Sequence, residues 1–237
     1  MSDVLTLKQL AEHLQLSERT IYRLLGRGQL PGFKLGGHWR FRRSVVDYWL
    51  DLRMGRLSPV DLREMEAEWP AGELSLSDAL VEANALLPLA GGSRQEIVSS
   101  LIHAVTFPEP VDAEQVATRV WEREQLASTA MEGGVAFLHT ARWDFRTMQR
   151  NDLLAIGRLD VAVDFGATDG GLTDVLLLLL ARDARQHLIL LARAAQLCRE
   201  PGFLDRVRNA RSGAAVLTLV HDAERALFTN KSPLSPS

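Results

Sequence analysis

Five side chains in the second half of the chain are of the types that phosphoryl transfer needs. His139 ends an apolar run, Val135-Ala136-Phe137-Leu138, that is entered through Gly133-Gly134. His187 opens a second apolar stretch, Arg123 and Glu124 close a helix-like segment, and Ser128-Thr129 follow shortly after. Imidazole is nucleophilic near neutral pH. A guanidinium and hydroxyls supply the donors that stabilise transferring oxygens. A strand end beside a glycine turn is where a side chain projects into a cleft, so His139 is the expected centre. Spacing alone leaves open whether the five groups meet.

A second set of residues is basic. Residues 1–56 hold ten Lys/Arg against five Asp/Glu, a balance of +5 that leaves −8 on the remainder of a chain whose net charge is −3. A basic first quarter on an acidic body points to one segment that meets a polyanion and another that does not. Arg19, Thr20, Tyr22, Arg23 and Arg27 lie off the apolar face of one predicted helix. Lys34, His38, Arg40, Arg42 and Arg43 surround a predicted hairpin.

These groups need elements to position them. Leu7, Leu10, Ala11 and Leu14 have helical spacing, and Ser17 can cap a second helix over Glu18–Leu25. Gly26, Gly28, Pro31 and Gly32 end it, and a Gly36-Gly37 turn joins Phe33-Lys34-Leu35 to Trp39-Arg40-Phe41 as a hairpin. Ser44 opens a third helix through Tyr48-Trp49-Leu50. Two helices with a tight turn and a hairpin make a winged helix-turn-helix, whose second helix enters the major groove while the wing meets phosphates or the minor groove. Trp39 reads as a packing residue under the wing.

A connector with Pro59 and Pro70 covers 57–72. Beyond it, helices are expected at Ser77–Leu86, Ser93–Val105, Asp112–Glu124, Ala184–Cys198, Gly202–Ala210 and Ser212–Ala226. Strands are expected at Gly134–Leu138, Leu153–Leu159 and Leu172–Ala181. That alternation predicts an α/β domain, with a disordered tail over 229–237. His103 lies among apolar residues and reads as core. His13 and His221 read as solvated, and Cys198 as buried. One cysteine excludes an intramolecular disulfide. The longest aliphatic run, Val175–Ala181, is far below the roughly 20 residues that cross a bilayer. No signal peptide is evident at the N-terminus, and a cytoplasmic protein without a membrane partner is expected.

The stretch Leu5-Thr6-Leu7-Lys8-Gln9-Leu10-Ala11, then Leu16-Ser17-Glu18-Arg19-Thr20-Ile21-Tyr22-Arg23 and Gly28 through Phe41, resembles the excisionase/MerR-like helix-turn-helix family. Glu122-Arg123-Glu124, Ser128-Thr129 and Gly134 through His139 resemble the active-site segment of type-2 IIA phosphotransferase domains, the fructose, mannitol and nitrogen-regulatory branch. Leu176–Ala181 with His187-Leu188-Ile189-Leu190 resembles their second motif. This resemblance spans about residues 77–226. It implies a mixed sheet flanked by helices, without metal or organic cofactor. It also implies that His139 accepts a phosphoryl group from a histidine phosphocarrier protein, supported by His187, Arg123, Ser128 and Thr129. Two departures stand out. Leu138 replaces the family's usual proline, and Ala130-Met131-Glu132 replaces part of its glycine turn, where Glu132 is expected to crowd a phosphate.

The expected organisation is a winged helix-turn-helix at 1–56, a linker at 57–72, a IIA-like domain at 73–228 and a tail at 229–237. The first functional reading is a regulator that binds duplex DNA and senses phosphoryl transfer at a histidine. Two others stay open: a phosphocarrier proper, and a non-phosphorylated protein-binding module. Oligomeric state is not written in the sequence.

Overall fold

The computed structural model describes residues 4–14, 16–26, 30–43, 46, 75–108, 111–140, 152–167, 169–182 and 184–229. Most of the expected third helix, the connector at 57–72, Arg27 and the tail beyond Thr229 lie outside these residues.

The first unit is built from β1 (Val4–Thr6), α1 (Leu7–Leu14), α2 (Glu18–Gly26), β2 (Phe33–Leu35) and β3 (His38–Arg42). Ser17 caps α2 as its sequence position requires, its Oγ accepting the Thr20 N–H at 3.2 Å. Gly36 and Gly37 both have positive φ, 59° and 80°. That conformation matches the right-handed strand twist in a two-residue hairpin and is open to glycine without strain. The wing is wider than expected, because β1 also pairs antiparallel with β3, giving the order β1-β3-β2. Leu10, Ile21, Phe41 and Val46 fill the core of this unit.

The second unit opens with a single turn, α3 (Leu76–Ala79), and β4 (Leu87–Leu89). There follow α4 (Arg94–Ala104), α5 (Ala113–Leu126), β5 (Ala130–Met131), β6 (Val135–Leu138), β7 (Leu153–Val163) and β8 (Thr173–Leu180). The helices α6 (Ala184–Arg199), α7 (Phe203–Asn209) and α8 (Gly213–Glu224) complete it. The five strands form one mixed sheet ordered β4-β7-β8-β6-β5. β4 runs parallel to β7 and β6 parallel to β8, while the β7–β8 and β5–β6 pairs are antiparallel.

Alternation along β8 shows why the sheet takes helices on both faces. Val175, Leu177 and Leu179 pack into one core with α6, α7 and α8. Leu176, Leu178 and Leu180 pack into the other with α4 and α5. Each such fully buried aliphatic side chain stabilises the fold by roughly 1.5–3 kcal/mol. Gly157 in β7 admits the close approach of Leu89 and Leu101. A Cβ there would lie 2.6 Å from one Leu89 methyl carbon.

A buried carboxylate closes the domain. Glu224, ending α8, accepts the N–H of Leu76 at 2.7 Å and of Ser77 at 3.0 Å, together with both serine hydroxyls of Ser75 and Ser77 at 2.8 Å. Arg193 of α6 approaches the same carboxylate at 3.3 Å. The first and last helices of the domain are thereby pinned to each other and to α6.

Three expectations are corrected. The helix expected over Ser77–Leu86 stops at Ala79, because Leu80 turns extended to bridge Leu154, and Leu87–Leu89 is an edge strand. His103 is exposed rather than core: Leu101 and Ile102 face inward, but one further residue turns the side chain out to Ser99 and Glu114. Glu132 sits in the β5–β6 turn, and the whole of β6 separates that turn from His139, so it does not crowd the histidine. Among the described residues no helix is long and apolar enough to cross a membrane.

Candidate functional site

Three of the five residues singled out for chemistry in the second domain meet directly. His139 follows β6, His187 lies in the first turn of α6 beside β8, and their ring centroids are 4.9 Å apart at 52°. The two elements are brought together by the β6–β8 pairing, which sets Leu138 opposite Leu178. Arg123, in the last turn of α5, donates from Nε to Nε2 of His139 at 3.1 Å and from Nη1 to the Ala127 carbonyl at 2.9 Å. His139 is 3% exposed and His187 1%. The imidazoles are therefore buried rather than projecting into an open cleft, which corrects the expectation drawn from the strand end.

The hydrogen bonds assign the ring protons of His139. Nδ1 lies 2.7 Å from the Phe137 carbonyl oxygen, which can only accept. Nε2 faces the Arg123 guanidinium, which can only donate. The ring is therefore the neutral Nδ1–H tautomer, with the lone pair of Nε2 turned toward Arg123. A nucleophilic nitrogen and a planar cation thus share one buried point.

Ser128 and Thr129 stand beside this group, but their hydroxyls are already engaged. Ser128 Oγ donates to the Phe165 carbonyl, onto which Arg94 also donates at 3.3 Å. Thr129 donates from its hydroxyl to Glu124 at 2.8 Å and from its backbone N–H to both Glu124 oxygens at 3.1 and 3.2 Å. Burial pushes the Glu124 carboxyl above its ordinary value, against the pull of the Thr129 bonds and the Arg123 charge. In the sequence Glu124 lies inside the Arg123 motif with no role of its own. Its signal was a charge beside Arg123 and five residues before a threonine. The Phe165 carbonyl carried no sequence signal at all.

In the first domain, Arg19, Tyr22, Arg23, Lys34, His38 and Arg42 are exposed, so α2 and the wing present a basic surface with an aromatic ring. Lys34 Nζ lies 5.3 Å from the centroid of Trp39, which itself stacks on Phe41, as expected of a packing residue. The other described candidates, Thr20, Arg40 and Arg43, are half-buried. The Thr20 hydroxyl pairs with Ser17 at 2.9 Å, Arg40 bonds the Trp39 carbonyl at 2.9 Å, and Arg43 reaches His13 at 3.4 Å.

Comparison with known proteins agrees with both units. The helix-turn-helix domain family matches residues 4–53. The family described as phosphoenolpyruvate-dependent sugar phosphotransferase system, EIIA 2, matches residues 81–223. A nitrogen regulatory protein of Pseudomonas aeruginosa is 29% identical over 154 residues, covering 64% of this chain and 97% of that protein. One from Bradyrhizobium diazoefficiens is 28% identical over 145 residues, covering 60% and 92%. Among solved structures, the nitrogen regulatory protein IIA-Ntr of Neisseria meningitidis is 20% identical with a TM-score of 0.53, covering 61% of this chain and 98% of its own. A IIA domain from Streptococcus pyogenes is also 20% identical, with a TM-score of 0.52 and coverage of 65% and 99%. At that identity the structural likeness speaks for the fold.

Proposed function

The chain belongs to the EIIA 2 family of the phosphoenolpyruvate-dependent sugar phosphotransferase system, and from that premise we propose that it is a DNA-binding regulator whose second domain accepts a phosphoryl group on His139. The observation that carries this reading is the lone pair of His139 Nε2, held beside Arg123 and the His187 ring. In the step we assign, Nε2 attacks the phosphorus of a phosphohistidine on a carrier protein. The new N–P bond forms as the carrier's N–P bond breaks, and the carrier imidazole leaves with the electron pair. The Nδ1 proton stays in its bond to Phe137. Arg123 shifts from the lone pair to the phosphoryl oxygens, where a charge-assisted donor stabilises the transferring charge. His187 adds a second donor, and Ser128 and Thr129 hold the adjoining turn. The domain assigned to this activity is 73–228.

The helix-turn-helix, residues 1–56, supplies the other half. Arg19, Tyr22 and Arg23 of the second helix, with Arg27 just beyond it in sequence, meet base edges. Lys34, His38, Arg40, Arg42 and Arg43, with Thr20 at the helix start, meet the backbone. A phosphoryl group adds about −1.5 to −2 of charge near pH 7, enough to shift a partner or domain equilibrium. The test is incubation of the full chain with phosphoenolpyruvate, the general phosphotransferase enzyme and a histidine carrier. It should give an acid-labile, base-stable phosphoprotein that His139→Ala abolishes and His187→Ala slows. Phosphorylated and unphosphorylated chains should then differ in duplex binding.

One observation favours a second reading. His139 is 3% exposed and its Nε2 is covered by Arg123, as in a site that stays closed. In that reading the domain is a non-phosphorylated docking module, and the labelling experiment returns nothing.

A further inference from the structure

We infer that Glu124 is a positioning residue for His139, because its carboxylate draws the Thr129 N–H out of the β5–β6 ladder and leaves the Phe137 carbonyl free to hold the imidazole. The inference rests on reading His139 as the phosphoryl acceptor.

The register of the hairpin carries the argument. Met131 pairs with Val135 and Ala130 with Ala136, so Thr129 stands opposite Phe137. Antiparallel pairs alternate between those that exchange two hydrogen bonds and those that exchange none. The Phe137 N–H donates to the Thr129 carbonyl at 3.2 Å, which marks this pair as one of the bonded kind. Its reciprocal bond, from Thr129 N–H to the Phe137 carbonyl, is replaced. The Thr129 N–H goes to Glu124 at 3.1 and 3.2 Å, and the Thr129 hydroxyl follows at 2.8 Å. The Phe137 oxygen instead accepts Nδ1–H of His139 at 2.7 Å.

One ladder bond has thus been exchanged for one side-chain bond, and the exchange decides which ring nitrogen is the nucleophile. With Nδ1 fixed as the donor, the lone pair stands on Nε2, beside Arg123. A buried carboxylate, 2% exposed, would be costly unless it were hydrogen-bonded. Three donor contacts from a single residue meet that cost at the point where they also unlatch the strand.

The experiment compares Glu124→Leu with Glu124→Gln in the full chain, reading the side-chain nitrogens of His139 by 15N NMR and the rate of phosphoryl transfer from the carrier. Leucine removes the acceptor, so Thr129 N–H returns to Phe137. His139 then becomes a mixture of tautomers, and transfer slows by about tenfold or more, as expected when a catalytic imidazole loses its tautomer. Glutamine keeps an acceptor oxygen, so the Nδ1–H tautomer and near wild-type transfer are retained. A folded leucine variant that still shows His139 wholly as Nδ1–H overturns the inference, and so does a glutamine variant that shifts as far as leucine. Where the leucine variant does not fold, scalar coupling across hydrogen bonds in the wild-type chain decides. Coupling of the Thr129 amide to the Glu124 carboxyl carbon supports the inference, and coupling to the Phe137 carbonyl overturns it. The tautomer readout needs no phosphate. Wild-type protein that never labels, yet shows these shifts, sinks the acceptor reading alone. Normal labelling with an unmoved tautomer in the leucine variant sinks this inference alone.

Discussion

Arg123 donates from Nε to Nε2 of His139 at 3.1 Å while its Nη1 is tied to the Ala127 carbonyl at 2.9 Å. The cation therefore both guards the lone pair and is anchored at the end of its own helix. A lysine supplies one point charge and cannot reproduce that planar fork. Arg123→Lys should slow phosphoryl transfer to His139 by about 10- to 100-fold, or roughly 1.4–2.8 kcal/mol of transition-state stabilisation. Labelling rates from a saturating carrier check this. An unchanged rate would remove Arg123 from the proposed chemistry.

Glu224 should make the second domain acid-sensitive. Burial alone pushes its carboxyl up, but the bonds from Leu76, Ser77 and Ser75 outweigh burial and hold it below the ordinary 4.5. A carboxyl depressed in the folded state stabilises above its unfolded pKa, and that stability is lost as pH falls through the folded value. Thermal unfolding of wild type should be insensitive to this group near neutrality and fall below about pH 4.5. Glu224→Gln should show a smaller acid drop. Glu224→Ala, which removes the acceptor of the Leu76, Ser75 and Ser77 donors and of Arg193, should cost about 3–5 kcal/mol. Denaturant curves at neutral pH measure that cost.

The two kinds of basic residue in the first domain should separate on DNA. Arg23→Ala on α2 should weaken a specific site by about 1–3 kcal/mol while sparing non-specific duplex. Arg42→Ala on the wing should weaken all sequences alike and reduce the salt slope by about 1. Fluorescence anisotropy with the full chain over a salt series distinguishes them. Absence of any duplex binding at low salt would end the DNA reading.

Cys198 should be inert in the native chain. The residue is only partly buried, but its thiol lines an apolar cavity of about 10 Å³ with Leu197, Phe203 and Val220. Burial pushes the thiol up to about 12, against the nearby charges of Arg199 and Arg208. Little thiolate exists at pH 8, and thiolate is the reactive form. A disulfide reagent should therefore label it only on unfolding. Rapid stoichiometric labelling of folded protein would contradict this placement.

Much of this was legible because aliphatic side chains on a two-sided sheet leave continuous runs. Thr173–Leu180 and the helix after it were found within a residue or two for that reason. β4 escaped because Leu87-Pro88-Leu89 is three residues long and holds a proline, which an edge strand tolerates. β1 escaped because Val4–Thr6 is a strand only through its pairing with β3. At the site, residue types and motif order named His139, His187 and Arg123. What the sequence did not show is which ring nitrogen carries the lone pair. That depends on a backbone carbonyl and on a ladder bond diverted by Glu124, and backbone groups have no letter in the sequence.

Phosphoryl transfer to His139 is decided by which atom carries the phosphorus. The full chain, labelled with 15N at histidine, is phosphorylated through the carrier, and 31P–15N coupling is read in alkaline buffer. A bond from phosphorus to Nε2 of His139, absent in His139→Ala, is the predicted result. Phosphorus on Nδ1 or on His187, or no phosphorylation with several carriers while a standard IIA protein labels fully, would contradict it.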